Sequence, residues 1–193
     1  MSKALRIIRD EHRSIAAVLY GMEHLVREIR ERGAKIDLKV LRAMLYYLDT
    51  FSERMHHPKE DLYLFAPLKR RNAGADALIA ELEREHAAGE ESLRRVEQSL
   101  IRYEEGGEAE FPAFARAVED FITGYWNHMR KEEDRVFPLA EKVFTAEDWV
   151  EIDRRFEENA DPLAAARKEK DFRRLFSRIV ELAPPPIGVG RAI

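Results

Sequence analysis

The sequence predicts an all-α protein: an antiparallel up-down four-helix bundle with one or two short additional C-terminal helices. Three observations predict it. Four segments of about thirty residues carry apolar positions in alternating steps of three and four, the period of one helix face. The turns between them are short, which makes successive helices oppositely directed neighbours. The 193 residues are 45% hydrophobic and 36% charged, with only nine Gly and eight Pro, a balance suited to a helical protein with one sizeable core. Residues 1–144 are expected to form the bundle. Residues 145–193 are expected to form a helical extension and an extended tail, packed on the bundle or on a second subunit.

The first helix is expected over residues 3–32, where Leu5, Ile8, His12, Ile15, Leu19, Met22, Val26 and Ile29 share a face. Gly33 ends it after a basic last turn. Asp37 offers the N-cap of the second helix, which aligns Leu41, Leu45, Leu48, Ser52, His56, Glu60 and Tyr63 and runs to about Arg71. Asn72-Ala73-Gly74 is the next turn. The third helix, from about Ala75 to Glu105, turns Ile79, Leu82, His86, Gly89, Leu93, Val96 and Leu100 inward, and Gly106-Gly107 closes it. The fourth begins near Pro112, a residue suited to a first turn. Its stripe is Phe114, Val118, Phe121, Tyr125, His128, Glu132, Val136, Leu139 and Val143. Thr145 and Asp148 have the spacing of a capping box and open a shorter helix to about Glu158. A last amphipathic stretch holds Phe172, Leu175, Phe176, Ile179 and Val180, before a tail from Ala183 whose three prolines favour an extended chain.

Pro58 falls inside the second helix, between His56 and Glu60. A proline there removes one backbone hydrogen bond and clashes with the carbonyl four residues back. The expectation is a kinked helix rather than a new start, because Pro138 stands in a similar place in the fourth.

Depth along the bundle brings the histidines together. His12 stands ~20 residues before the first turn and His56 ~18 after it, so at 1.5 Å per residue both lie roughly 27–30 Å from that loop. The same measure about the second turn levels His56 and Glu60 with His86 and Glu90, and about the third turn it levels that pair with His128 and Glu132. Four imidazoles on four inward stripes therefore share one layer. Glu60, Glu90 and Glu132 each follow a histidine by four positions, on the same helix face.

Such a layer, buried without compensation, is very costly, since a lone buried carboxylate faces several kcal/mol. A pair of cations removes the cost: carboxylates bridge the ions and imidazoles cap them. Nitrogen and oxygen donors without sulfur favour iron or manganese, with zinc as a further alternative. The candidate metal ligands are His12, His56, Glu60, His86, Glu90, His128 and Glu132. His24 lies off the stripe and His57 points away from the His56 face, so both are expected at the surface or behind the ligands. Glu133 and Asp134 are expected in solvent. Cysteine is absent, which excludes disulfides, thiolate chemistry, iron–sulfur clusters and cysteine zinc sites. A net charge of -4 argues against nucleic acid or an anionic membrane as partner. The charged N-terminus lacks a signal-peptide core and no apolar run spans a bilayer, so a cytoplasmic protein is expected.

With His12, His56-x3-Glu60, His86-x3-Glu90 and His128-x3-Glu132 in hand, residues 3–144 resemble the hemerythrin-like HHE cation-binding family. The phrases HHPKEDLYLFAPL and HMRKEEDRVFPLAEK carry the resemblance in the second and fourth helices. It implies a four-helix bundle with a non-haem di-iron centre. His12, His56, His86 and His128 would then be terminal ligands, and Glu60 and Glu132 bridging ones. Oxygen-carrying members place a second histidine where Glu90 stands and an aspartate five residues after the last histidine, whereas here Glu132 follows by four. The pattern is closer to bacterial relatives linked to nitric oxide, peroxide or iron handling.

The expected function is binding or sensing of O₂, nitric oxide, peroxide or iron at two iron ions. A di-iron enzyme with peroxidase- or catalase-like or nitrosative-damage repair activity is the alternative. In that reading Glu90 is a labile ligand or proton carrier, and Tyr63 and Tyr125 are candidate redox or hydrogen-bonding groups, against their plainer role as core tyrosines. A metal-free interaction module with a polar core layer is the third reading. A homodimer is compatible with the extension.

Overall fold

The structure is a computed structural model, which describes residues 2–158 together with residues 177, 179 and 181. Among the described residues there are helices and turns and no strand. The first helix, α1, is Lys3–Arg32, capped by the Ser2 side chain accepting from the Leu5 amide and closed by Gly33 at φ 62°. That left-handed conformation is cheap only for glycine. The second, α2, covers residues 38–71 and starts where the Asp37 carboxylate accepts from the Lys39 amide. Asn72 holds the next turn by accepting from the Gly74 amide. The third, α3, is Asp76–Gly106, ended by Gly107 at φ 68°. The fourth, α4, covers residues 111–143, and α5 is Ala146–Glu158.

Neither α2 nor α4 is regular throughout. In α2, π-helical Leu48–His56 and Asp61–Phe65 alternate with α-helical Leu38–Tyr47, His57–Glu60 and Ala66–Arg71. In α4, π-helical Glu132–Val136 separates Phe111–Lys131 from Phe137–Val143. Each π turn ends just before a proline. The amides of His57, Ala66 and Phe137 reach back five residues, to the carbonyls of Ser52, Asp61 and Glu132, and Pro58, Pro67 and Pro138 follow them. A proline inside a regular helix meets the carbonyl four residues back; a wider turn moves that carbonyl aside. The helix around Pro58 thus neither breaks nor simply kinks. It absorbs an extra residue per turn.

The extra residues rotate the inward face. Beyond Glu60 the buried positions are Leu64, Phe65 and Leu68, while Tyr63, expected inward, is only half-buried. Beyond Glu132 they are Val136, Phe137 and Ala140, while Leu139 and Val143 are partly covered.

Two apolar clusters flank the polar layer. One joins Ile15 to Val26 of α1, Val40 to Leu48 of α2, Leu93 to Leu100 of α3 and Phe114 to Met129 of α4. The other joins Ala4, Leu5 and Ile8 to Leu64, Phe65 and Leu68, to Leu78, Ile79 and Leu82, and to Phe137 and Ala140. The second cluster also takes Ile152 and Phe156 of α5. Thr145 and Asp148 exchange the expected capping bonds, the Thr145 amide donating to Asp148 and the Asp148 amide to Thr145 Oγ1. Asp153 accepts from the Lys3 and Ala4 amides, so α5 caps the free N-terminus of α1. The expected amphipathic stretch over 172–180 and the tail from Ala183 lie outside the described residues, apart from Ser177, Ile179 and Glu181. Ile179 is buried against the first cluster.

Candidate metal centre

Between the two clusters, α1 to α4 bring His12, His56, Glu60, His86, His128 and Glu132 to one place. Glu60 and Glu132 are fully buried, and the four imidazoles are at most 7% exposed. Each carboxylate spans the layer. Glu60 Oε1 lies 3.7 Å from His12 Nε2, and its Oε2 lies 3.4 Å from His56 Nε2 and 3.7 Å from His86 Nε2. Glu132 Oε2 lies 3.2 Å from His12 Nε2, and its Oε1 lies 3.3 Å from His128 Nε2 and 3.7 Å from His86 Nε2. The Nε2 atoms of His86 and His128 face each other at 2.9 Å. Every inner nitrogen thus points at a carboxylate shared with another histidine.

The outer nitrogens make a ring. His56 Nδ1 sits 2.8 Å from Glu11 of α1, and His86 Nδ1 sits 2.8 Å from Asp61 of α2. His128 Nδ1 sits 3.0 Å from Glu85 of α3, and His12 Nδ1 sits 2.9 Å from Glu133 of α4. Each helix supplies the acid that orients the next helix's imidazole, and α4 closes the circle onto α1. Each acid is the sequence neighbour of an inward residue: Glu11 of His12, Asp61 of Glu60, Glu85 of His86, Glu133 of Glu132. A carboxylate on Nδ1 fixes the tautomer and leaves Nε2 as a lone-pair donor, the usual support behind a metal-bound histidine. Glu133, expected in solvent, belongs to this ring.

The charge balance points the same way. Burial alone lowers the His12 pKa, yet Glu132, Glu133 and Glu60 push it up to about 12. Burial is likewise overcome at His86, raised to about 10 by Asp61 and Glu132, and at His128, raised to about 9 by Glu132 and Glu85. Glu132, despite burial, is held well below the carboxylate range by His128, His12 and His86. The layer has more negative charge than its neutral imidazoles can answer. Both oxygens of Glu60 and Glu132, and Nε2 of His12, are buried with no hydrogen-bond partner among the described residues. Orphaned carboxylate oxygens of this kind are rare in folded proteins and need a compensating group. Oxygen and imidazole donors at this spacing fit a cation. His12, His56 and Glu60 form one group whose ligand atoms lie within 4.8 Å of one another, and Glu60, His86, His128 and Glu132 form a second.

One expectation needs correction, and one of two alternatives is selected. Glu90 is exposed on α3 and lies outside both groups, near enough to Arg54 to feel its charge. The residue before it, Gly89, is the one that faces the core, and Glu53 of α2 fills the space: a Cβ on Gly89 would come within 3.0 Å of Glu53 Cδ and closer still to Oε2. His57, expected at the surface or behind the ligands, lies behind them. It is 5% exposed, stacked 4.1 Å from the His86 ring, with Nδ1 3.2 Å from Glu53 Oε2. His24 is also buried, but its Nδ1 meets the Arg27 guanidinium at 3.2 Å, remote from the layer's carboxylates.

Tyr125 is buried, donates its hydroxyl to Glu53 and lies 2.9 Å from Ser52 Oγ. Burial and the Glu53 charge hold its pKa well above that of a free tyrosine. Tyr63 instead packs edge-on against Phe156, away from the layer. A cleft of about 1020 Å³ between α3 and α4 has Ala88, Ala117, Phe121 and Tyr125 in its walls and reaches His86 and His128.

Sequence reasoning missed the ring of acids and the burial of His57 alongside His56. The signal available for the acids was their position beside an inward residue; for His57 it was the proline that follows it.

A family model described as Hemerythrin HHE cation binding domain matches residues 3–140, from the start of α1 into the last turns of α4. Comparison with curated proteins and with solved structures gave no match.

Proposed function

Because the chain belongs to the hemerythrin HHE cation-binding family, we propose that its metal-binding layer is a non-haem di-iron centre that binds or senses O₂, nitric oxide, peroxide or iron itself. In this reading the four main rods run up and down in antiparallel order. Residues 1–144 form the metal-binding unit, and the C-terminal segment is an extension that secures one end or serves a second subunit. His12, His56, His86 and His128 are the terminal ligands. Glu60 and Glu132 are the bridging ones.

The observation that carries the reading is the pair of fully buried, hydrogen-bond-free carboxylates, each within 3.7 Å of three imidazoles. Iron ions, when bound, supply a redox couple and coordination positions for a small ligand. The chain's own part is to hold the imidazoles by their outer nitrogens and to keep the layer dry between two apolar clusters. No helix among the described residues is long and apolar enough to cross a membrane. That agrees with a cytoplasmic setting.

Anaerobic reconstitution tests this. The protein should retain about two irons per chain, as di-iron bundles do. Its absorption spectrum should change on exposure to O₂, nitric oxide or peroxide. Protein that retains no iron, or that purifies as a colourless zinc protein indifferent to all three, overturns the proposal.

The cleft favours a second reading. It is far larger than a diatomic gas needs, and it places Tyr125 beside the layer. In an enzyme, a bulkier substrate or peroxide would enter there. Consumption of H₂O₂ that disappears in Glu132→Ala would select this reading over ligand binding alone.

A further inference from the structure

We infer that His57 is a fifth imidazole ligand of the centre, completing the side formed by His86 and His128. This rests on the metal-binding reading above, and asks for a ligand that the 3.6-residue spacing of the other histidines does not provide.

Position is the first argument. One ring nitrogen of His57 lies within 4.8 Å of ligand atoms of both His86 and His128, and the three form a group able to hold a cation. The rings of His57 and His86 stack at 4.1 Å, and His128 is 5.4 Å away. Adjacent residues of an α-helix point about 100° apart, so His56 and His57 should not both face inward. The π-helical stretch ending at His56 widens the turn, and both side chains are buried.

The second argument is the orienting acid. All four histidines expected as ligands have Nδ1 against a carboxylate, from Glu133, Glu11, Asp61 and Glu85. His57 also has a carboxylate behind Nδ1, Glu53 at 3.2 Å, at ion-pair distance without an aligned hydrogen bond. His24, the remaining histidine, breaks the pattern, because its Nδ1 meets a guanidinium. A carboxylate behind Nδ1 makes the other nitrogen the better donor to a metal. Glu53 is itself fixed by the Tyr125 hydroxyl and by the notch over Gly89.

The third argument is the inner ring nitrogen, which has no partner. Nε2 of His57 is buried with no hydrogen-bond partner among the described residues, in a ring 5% exposed, while Nδ1 has only the Glu53 contact. A buried imidazole left so is costly. A cation beside His86 and His128 would take its lone pair. The two metal positions are then unlike: His12 and His56 serve one, His57, His86 and His128 the other, with Glu60 and Glu132 common to both.

Mössbauer spectra of protein loaded with ⁵⁷Fe test this, with chelator competition for affinity. Wild type should give two quadrupole doublets of equal area. His57→Gln should alter one doublet and weaken one of the two metals by at least 10–100-fold, the range for disturbing a ligand's support. Glu53→Gln should shift the same doublet less. His24→Gln should change neither. His57→Gly with added imidazole, which can enter through the cleft that His57 lines, should restore the spectrum. It also guards against a His57→Gln chain that fails to fold. Wild-type spectrum and affinity in His57→Gln overturn the fifth ligand alone. A wild type that takes up no iron overturns the metal reading with it.

Discussion

Gly89→Ala offers a sharp test of the packing behind the centre. Alanine is the better helix former by up to about 1 kcal/mol, so an unobstructed exchange should stabilise the protein. Gly89 is obstructed. The added methyl would meet Glu53 Cδ at 3.0 Å and Oε2 closer still. Glu53 is the far end of a flexible side chain, but it has nowhere free to go: its side chain is 1% exposed and bonded to Tyr125, with His57 at 3.2 Å. Twisting it off its rotamer costs about 0.5–1.5 kcal/mol. Losing the charge-assisted bond from Tyr125 costs about 1.5–3 kcal/mol. The combined cost exceeds the helix gain, leaving a net loss of about 1–3.5 kcal/mol. At 2–4 °C per kcal/mol in a chain of this size, the melting temperature should fall by about 2–14 °C. Gly124→Ala is the internal control, since a Cβ there meets nothing within 4 Å, and it should raise the melting temperature by about 2–4 °C. Thermal unfolding followed by circular dichroism on both variants gives the comparison. If Gly89→Ala stabilises as much as Gly124→Ala, Glu53 does not occupy the notch and the account of the layer's support is wrong. The double variant Gly89→Ala/Glu53→Ala should remove the Gly89→Ala penalty, because the two sites then no longer collide.

Other outcomes follow from the same geometry. Removing metal with a chelator should lower the melting temperature by about 5–11 °C, from the ~2.7 kcal/mol that a ligand at a hundred times its dissociation constant contributes; equal melting of apo and loaded protein would refute it. Glu85→Gln keeps the helix but loosens His128, and should weaken metal binding by about 10–100-fold in chelator competition, with unchanged far-ultraviolet dichroism. Thr145→Ala removes the α5 cap and should cost about 0.5–2 kcal/mol in denaturant unfolding, a loss that Thr145→Ser mostly restores. Asp148 sits below its ordinary pKa because the Arg71 guanidinium and Thr145 favour its charged form. A depressed folded pKa contributes stability above the unfolded value and loses it as pH falls through the folded one. Wild type should therefore outlast Asp148→Asn near neutrality, with the gap closing as the pH falls through the depressed pKa of Asp148, as parallel melts across pH would show.

Much of the fold could be read from the chain because its punctuation is local. Gly33, Asp37 and Gly107 act within a turn of themselves, and the helix ends fall where they stand. The depth of His12, His56, His86 and His128 needed only a rise per residue and a count from each turn. Two things were illegible for physical reasons. A constant 3.6-residue period cannot register a π turn, so it turns His57 away from the His56 face and places Tyr63 in the core. It also reads Glu133 as solvated and gives Glu11 and Glu85 no role, because on their own helices they face outward. Their partners are on the neighbouring helix, and only the assembled bundle brings the two together. Glu90 failed for the opposite reason: correct spacing from His86 placed it on a face where Gly89 and Glu53 already fill the depth.

The layer can also be weighed against what would fold best without it. Two apolar clusters, one on each side, already tie all four main helices together. Packed apolar residues in place of a buried ionic layer are often neutral or stabilising by 1–4 kcal/mol. The fold alone therefore has no need of Glu60 and Glu132. Without metal, their charge is answered by protons on the imidazoles, which is why His12, His86 and His128 stand above the usual histidine range. That answer is partial, since all four oxygens of the two carboxylates still lack aligned partners. The apo chain should accordingly fold, held by its two clusters, while remaining strained at its waist. A cation relieves that strain without moving the helices, because the acids behind the imidazoles have already aimed them.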